Sequence, residues 1–184
     1  MPRLRSRARP TMRATISHDC ARYVSKIPDT DELPRFTATR RVNFSPQQIF
    51  EVVADVGSYK EFLPLVERST VRNRKPAVDE YESFSADLVI GYKKMGIHES
   101  LTSQVETSLE NLSVNAVSSG KAVKKLISSW QITAVEGNKS DITFAVDYEM
   151  KSHLLQMLLS GMFDHAAKKV MGEFEARAEK LYNS

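Results

Sequence analysis

Cysteine is almost missing from this chain: Cys20 stands alone. A single thiol excludes an intramolecular disulfide and any metal centre built on cysteines, and it suits a reducing compartment. No apolar stretch approaches the roughly 18 residues that a membrane-spanning helix needs. Histidine is scarce too, with four in 184 residues. Of those in the patterned part, His153 and His165 lie about 120° apart round a helix and share no face. Asp164 and His165 are sequence neighbours that point different ways, so they form no dyad. No HExxH, P-loop, nucleotide-binding glycine fingerprint or nucleophile elbow occurs. His98, His153 and His165 therefore read as surface residues, Asp147 and Glu149 read as a solvated strand edge, and no catalytic or metal-ligating residue is assigned.

A basic excess is missing from most of the chain as well. The net charge is +3, yet residues 1–26 hold seven basic side chains against Asp19 alone. The other residues carry 19 basic against 22 acidic groups, which argues against a DNA-binding face on the folded part. Residues 1–34 contain four prolines and no sustained periodicity, so they are expected to be a disordered basic tail. The tail reads as a passive leader, with translation from Met12 one version of it, as an Arg-rich targeting peptide, or as an anchor for anionic lipid or RNA phosphate.

What is present is periodicity. Arg35–Phe44 alternates as a strand. Ser45-Pro46 then opens a helix, with Gln48 placed for a capping box, and a second short helix runs from Tyr59 to Leu63 until Pro64 stops it. From Val66 the period becomes two, and about six strands follow, the first polar enough to be an edge. Ser152–Tyr182 reads as one amphipathic helix with Ser152 as N-cap. This order, β-α-α-β6-α, predicts an α+β domain over 35–184 in which a curved antiparallel sheet wraps a long C-terminal helix.

The sheet face turned to that helix is rich in aromatic and flexible side chains, which fits either a packed core or a pocket for an apolar ligand. The candidate lining is Phe84, Leu88, Ile90 and Tyr92, then Glu99, Leu101 and Ser103, then Val114 and Trp130, and then Phe144, Val146 and Tyr148. The helix adds Leu158, Met162, Phe163 and Ala166. Tyr59, Phe62, Leu63 and Leu65 are the candidate cavity mouth, where apolar side chains dip into a membrane surface. Gly161, costly inside a helix by ~1 kcal/mol, is a candidate bend.

Taken in order, several motifs resemble the coenzyme Q-binding protein family of the START-like, polyketide-cyclase-like superfamily. They are Tyr59-x-x-Phe62-Leu63-Pro64, Phe84-x-Ala86-x-Leu88-x-Ile90-Gly91-Tyr92, Glu99-Ser100-x-Thr102-Ser103-x-Val105, Trp130 and Phe174-Glu175-x-Arg177-Ala178-x-x-Leu181-Tyr182. Lys93-Lys94-Met95 departs from the more apolar stretch the family has there. The resemblance implies a START-like helix-grip fold and a non-enzymatic carrier of ubiquinone or a late precursor. The prenyl quinone is then a bound ligand and there is no cofactor. Tyr92, Tyr148, Ser103, Ser128 or Trp130 would donate to its oxygens. The implied place is the cytoplasm or the periphery of the inner membrane, or the mitochondrial matrix in a eukaryote. The same superfamily includes ribosome-association toxins that bind the large ribosomal subunit and block subunit joining. Cyclisation of polyketides is the third activity the resemblance allows.

Overall fold

A computed structural model describes residues 35–78, 80–92, 96–160 and 163–183. Of Tyr92, Ile97, Leu158, Leu159, Phe163 and Asp164 it describes the backbone alone. The expected tail, residues 1–34, lies outside the described residues, as do Lys93-Lys94-Met95, Gly161 and Met162.

Strand β1 (Arg35–Val42) leads into α1 (Pro46–Ala54), a 3-10 turn (Val56–Ser58) and the short α2 (Tyr59–Phe62). Ser45 caps α1 as its sequence requires. Its hydroxyl accepts from the Gln48 amide at 3.3 Å, and the Gln48 side chain accepts from the Ser45 amide at 2.8 Å. Two otherwise unpaired donors are thereby satisfied. Six strands follow: β2 (Val66–Val78), β3 (Tyr81–Tyr92), β4 (Ile97–Ser108), β5 (Ser113–Gly120), β6 (Val123–Val135) and β7 (Lys139–Met150). Consecutive strands pair antiparallel, and β1 returns to β7, giving the order β1-β7-β6-β5-β4-β3-β2. The β6–β7 turn relies on Gly137 and Asn138, both at positive φ (76° and 57°), which few other residues tolerate. Edge strand β2 is interrupted by register shifts and carries Pro76, devices that discourage pairing with another chain.

The C-terminal segment is described as two helices, α3 (His153–Ser160) and α4 (Phe163–Tyr182), where the sequence predicts one continuous run. Ser152 caps α3 through its hydroxyl, which accepts from the Leu155 amide at 3.4 Å. Helix α4 packs on α1, β1 and α2, whereas α1 lies across β5, β6 and β7. The buried stripe of α4 is Ala167, Met171, Phe174 and Ala178. The sequence pattern predicts a stripe through Ala166, Val170, Phe174 and Leu181, of which Phe174 is buried and Val170 packs partly buried against the core. Leu181 is instead 49% exposed. The small side chains of Ala167 and Ala178 are what let α4 approach its neighbours closely.

Candidate functional site

The concave face of the sheet forms a trough whose two ends differ. At one end the protein's own rings fill it. The Trp130 and Phe144 rings, directly paired across β6 and β7, stack with centroids 4.1 Å apart. Phe174 descends from α4 to 4.7 Å from Trp130. Tyr59 and Phe62 then meet Phe174 edge-on at 5.2 and 5.1 Å. Such edge and offset geometries are the preferred ones for aromatic pairs. The Tyr59 hydroxyl donates to the Val53 carbonyl at 2.5 Å, and burial pushes its phenol well up from its ordinary value. Leu63 is buried in the same core. This corrects the sequence expectation for five residues. Trp130, stacked on Phe144, packs against Phe174, so both rings are core rather than a free wall. Tyr59 and Phe62 brace α2 against Phe174 of α4, and Leu63 is buried in the core, rather than facing a membrane. Leu65, in the turn just before β2, is partly exposed.

Toward the other end the filling thins. Leu88, Ile90, Ala116, Leu126, Ser128 and Met150 all face the trough and keep partial exposure. Leu101, Val114, Val146 and Tyr148 are buried beside them, with Phe84 and Ala86 below. Within this apolar wall Ser103 and Ser118, paired across β4 and β5, share a hydrogen bond of 2.7 Å. Two hydroxyls own two protons and one mutual bond uses one of them, so the pair retains one further donor. Ser128 stands on the neighbouring strand opposite Ala116. Ala166 of α4 is partly exposed. Met162 lies outside the described residues, and the side chains of Tyr92, Leu158 and Phe163 do as well.

Glu99 also faces inward, as its alternation predicts, but its carboxylate is engaged. It accepts the Ala122 amide at 2.8 Å and clamps the β5–β6 turn. Gly120 makes room for it: a Cβ there would come within 2.3 Å of the Glu99 carboxylate and 2.6 Å of the Ser100 carbonyl. Glu99 is thus a turn residue of the trough rim.

The outer face carries ion pairs, among them Arg41–Asp141 at 2.8 Å and Arg72–Asp87, whereas Arg74, paired with Glu82 at 2.8 Å, lies over the Phe84 ring on the trough side. Asp147 departs from its expected solvated setting. It is 5% exposed, and burial raises its carboxyl above the usual carboxylate range, with Arg35 opposing that shift. Arg35 Nε approaches it to 3.2 Å without the alignment of a hydrogen bond. His98, His153 and His165 are all at the surface, and His98 lies 3.3 Å from Glu67. Outside the trough, a cleft of about 320 Å³ between α1, α2 and the end of α4 is lined by Glu51, Asp55, Phe62, Arg177 and Tyr182, among others. Of the sequence-predicted site residues only Phe62 touches it. Besides Ala86, Ala116, Leu126 and Met150 of the wall, the trough residues that the sequence list omits include the aromatic anchor Phe174 and the Ser118 hydroxyl. Phe174 was legible as an apolar helix position, and Ser118 only through its pairing with Ser103.

A curved antiparallel sheet closed by a C-terminal helix defines the helix-grip class. The fold is shared with an aromatase/cyclase from Streptomyces sp. R1128, with a TM-score of 0.69 over 81% of this chain and 95% of that one, at 13% identity. The chain belongs to the family described as polyketide cyclase/dehydrase and lipid transport, whose model matches residues 42–175. Two relatives within it carry different names. The ribosome association toxin RatA of Escherichia coli (strain K12) is 26% identical over 83% of this chain and 91% of its own length. The mitochondrial coenzyme Q-binding protein COQ10 of Drosophila melanogaster is 30% identical over 70% of this chain. The match spans 52% of that protein's length. Among the described residues no helix is long and apolar enough to cross a membrane.

Proposed function

We propose that this protein is a non-enzymatic carrier of a prenyl quinone, ubiquinone or a late precursor, supporting quinone synthesis and respiratory electron transport. It would act in the cytoplasm, at the inner membrane's periphery, or in the mitochondrial matrix of a eukaryote. One observation carries the reading: one half of the trough is packed solid, while the other keeps an apolar, partly exposed wall interrupted by hydroxyls. A polyprenyl chain gains ~0.8 kcal/mol per buried CH₂, so even a few isoprene units against Leu88, Ile90, Leu126 and Met150 give useful affinity. A quinone ring offers carbonyl and ether oxygens and accepts only, which matches the spare donor of Ser103 and Ser118 and the Ser128 hydroxyl. Likeness to COQ10 adds support. Two inward carboxylates are already engaged, Glu99 in holding a turn and Glu82 in pairing with Arg74 at 2.8 Å, which favours binding over acid–base turnover. Organic extraction of the purified protein followed by mass spectrometry should recover a prenyl quinone in near-stoichiometric amount. Repeated recovery of no prenyl lipid would refute the reading.

The likeness to RatA spans nearly all of that protein and favours a second reading, association with the large ribosomal subunit. Co-sedimentation with that subunit at physiological salt, retained after deletion of residues 1–34, would select it over the carrier.

A further inference from the structure

Helix α3 turns one polar side chain inward: Gln156 accepts from the Met150 amide at 2.7 Å and donates to the Tyr148 carbonyl at 3.5 Å. These bonds fix the helix's rotation against the end of β7. Leu154 and Met157, one turn apart, then face outward and are 67% and 62% exposed. Among the described residues, the other large exposed apolar side chains, Val78 on β2, Leu109 in the β4–β5 turn and Leu181 on α4, sit singly. Scattered single residues need no explanation, but an apolar pair held outward by an inward glutamine does.

The surroundings are basic. The Lys151 amide donates to the Ala122 carbonyl at 2.9 Å, which ties the start of α3 to the β5–β6 turn and its Lys121. Both lysines are exposed, and neither has an acidic partner among the described residues. The nearby acids are committed: Glu149 pairs with Lys124 at 2.6 Å, and Glu99 accepts from Ala122. The segment 151–160 contains no acid. This end of the sheet is also the half of the trough where Leu126 and Met150 remain partly exposed. A phosphodiester backbone would use the lysines and leave the leucine and methionine in water. An anionic lipid surface uses both, with side chains below the headgroups and ammonium groups among them.

We propose that the outward face of α3, Leu154 and Met157 framed by Lys121 and Lys151, docks on an anionic bilayer and sets the open half of the trough against it. The docking stands on geometry and charge, and its purpose, loading a membrane-resident quinone, rests on the carrier reading. The test is co-sedimentation of the full chain with phosphatidylcholine vesicles made with and without phosphatidylserine. Wild type should bind the anionic vesicles preferentially. Leu154→Ser/Met157→Ser should weaken that binding at least about tenfold, and Lys121→Gln and Lys151→Gln roughly fivefold each. Leu109→Ser, an equally exposed leucine at the opposite end of the sheet, should change nothing, and circular dichroism should report the same fold for all variants. The proposal is overturned if the double serine variant sediments like wild type, the result expected when the basic residues 1–34 alone drive binding. It is equally overturned if the variant alters self-association or ribosome binding while vesicle binding is untouched. Vesicle docking without extractable quinone would leave the surface standing and remove the carrier. Quinone without docking would do the reverse.

Discussion

Gly120 and Glu99 show how a residue's role is set by what stands opposite it. Glu99 is in phase with the trough and so reads as a ligand contact, yet its carboxylate meets the Ala122 amide across a tight turn. A methyl group at 120 would collide with that carboxylate and, less forgivingly, with the Ser100 backbone carbonyl. Gly120→Ala is expected to cost roughly 1–3 kcal/mol, the usual range for forced overpacking, read as a lower denaturant midpoint with an unchanged m-value. Asp147 makes the same point on the outer face. Strand alternation marks it as solvent-facing, but burial depends on what the neighbouring strands and segments bring over it, and its raised carboxyl reports that cover.

At the scale of elements, α4 is held at its end by polar tethers as well as by its buried stripe. Tyr182 donates to Glu51 on α1 at 2.7 Å, Arg177 donates to Glu61 at 2.7 Å, and Arg40 pairs with Glu175. Burial, helped by the Glu51 carboxylate, pushes the Tyr182 phenol up to about 12. An unfolded tyrosine titrates near 10. Between these values the unfolded chain has lost a proton that the folded chain keeps, so stability falls as pH rises from about 10 and this contribution is gone above about 12. Tyr59, raised in the same direction, adds to the decline. Tyr182→Phe should therefore show a shallower loss of stability over that window, measured by denaturant titration at stepped pH. If the mutant and wild-type curves stay parallel through it, the tether carries no weight. The stripe of α4 was harder to read than its ends. Alanines are nearly silent in a hydrophobic pattern, so the sequence favours Val170 and Leu181 where close packing selects Ala167 and Ala178.

For the whole molecule, the division of the trough is the feature that links fold to function. Filling the open half artificially should separate stability from binding. Ser128 faces it between Ala116 and Val146, and Ser128→Trp is expected to lower extractable quinone at least about tenfold, equivalent to ~1.4 kcal/mol, with a near-native melting temperature. Unchanged quinone content in a folded variant would move the ligand elsewhere. The sequence alone determined the order of elements, the strand phases, the caps at Ser45 and Ser152 and the edge position of β2, because each follows from period, turn chemistry or local hydrogen bonding. Tertiary structure decided how far the trough is filled. Trp130, Phe144, Leu126 and Tyr148 share one inward phase, and alternation cannot distinguish them. Among the described residues, Phe174 descends onto one pair and makes it core, while Leu126 of the other keeps partial exposure.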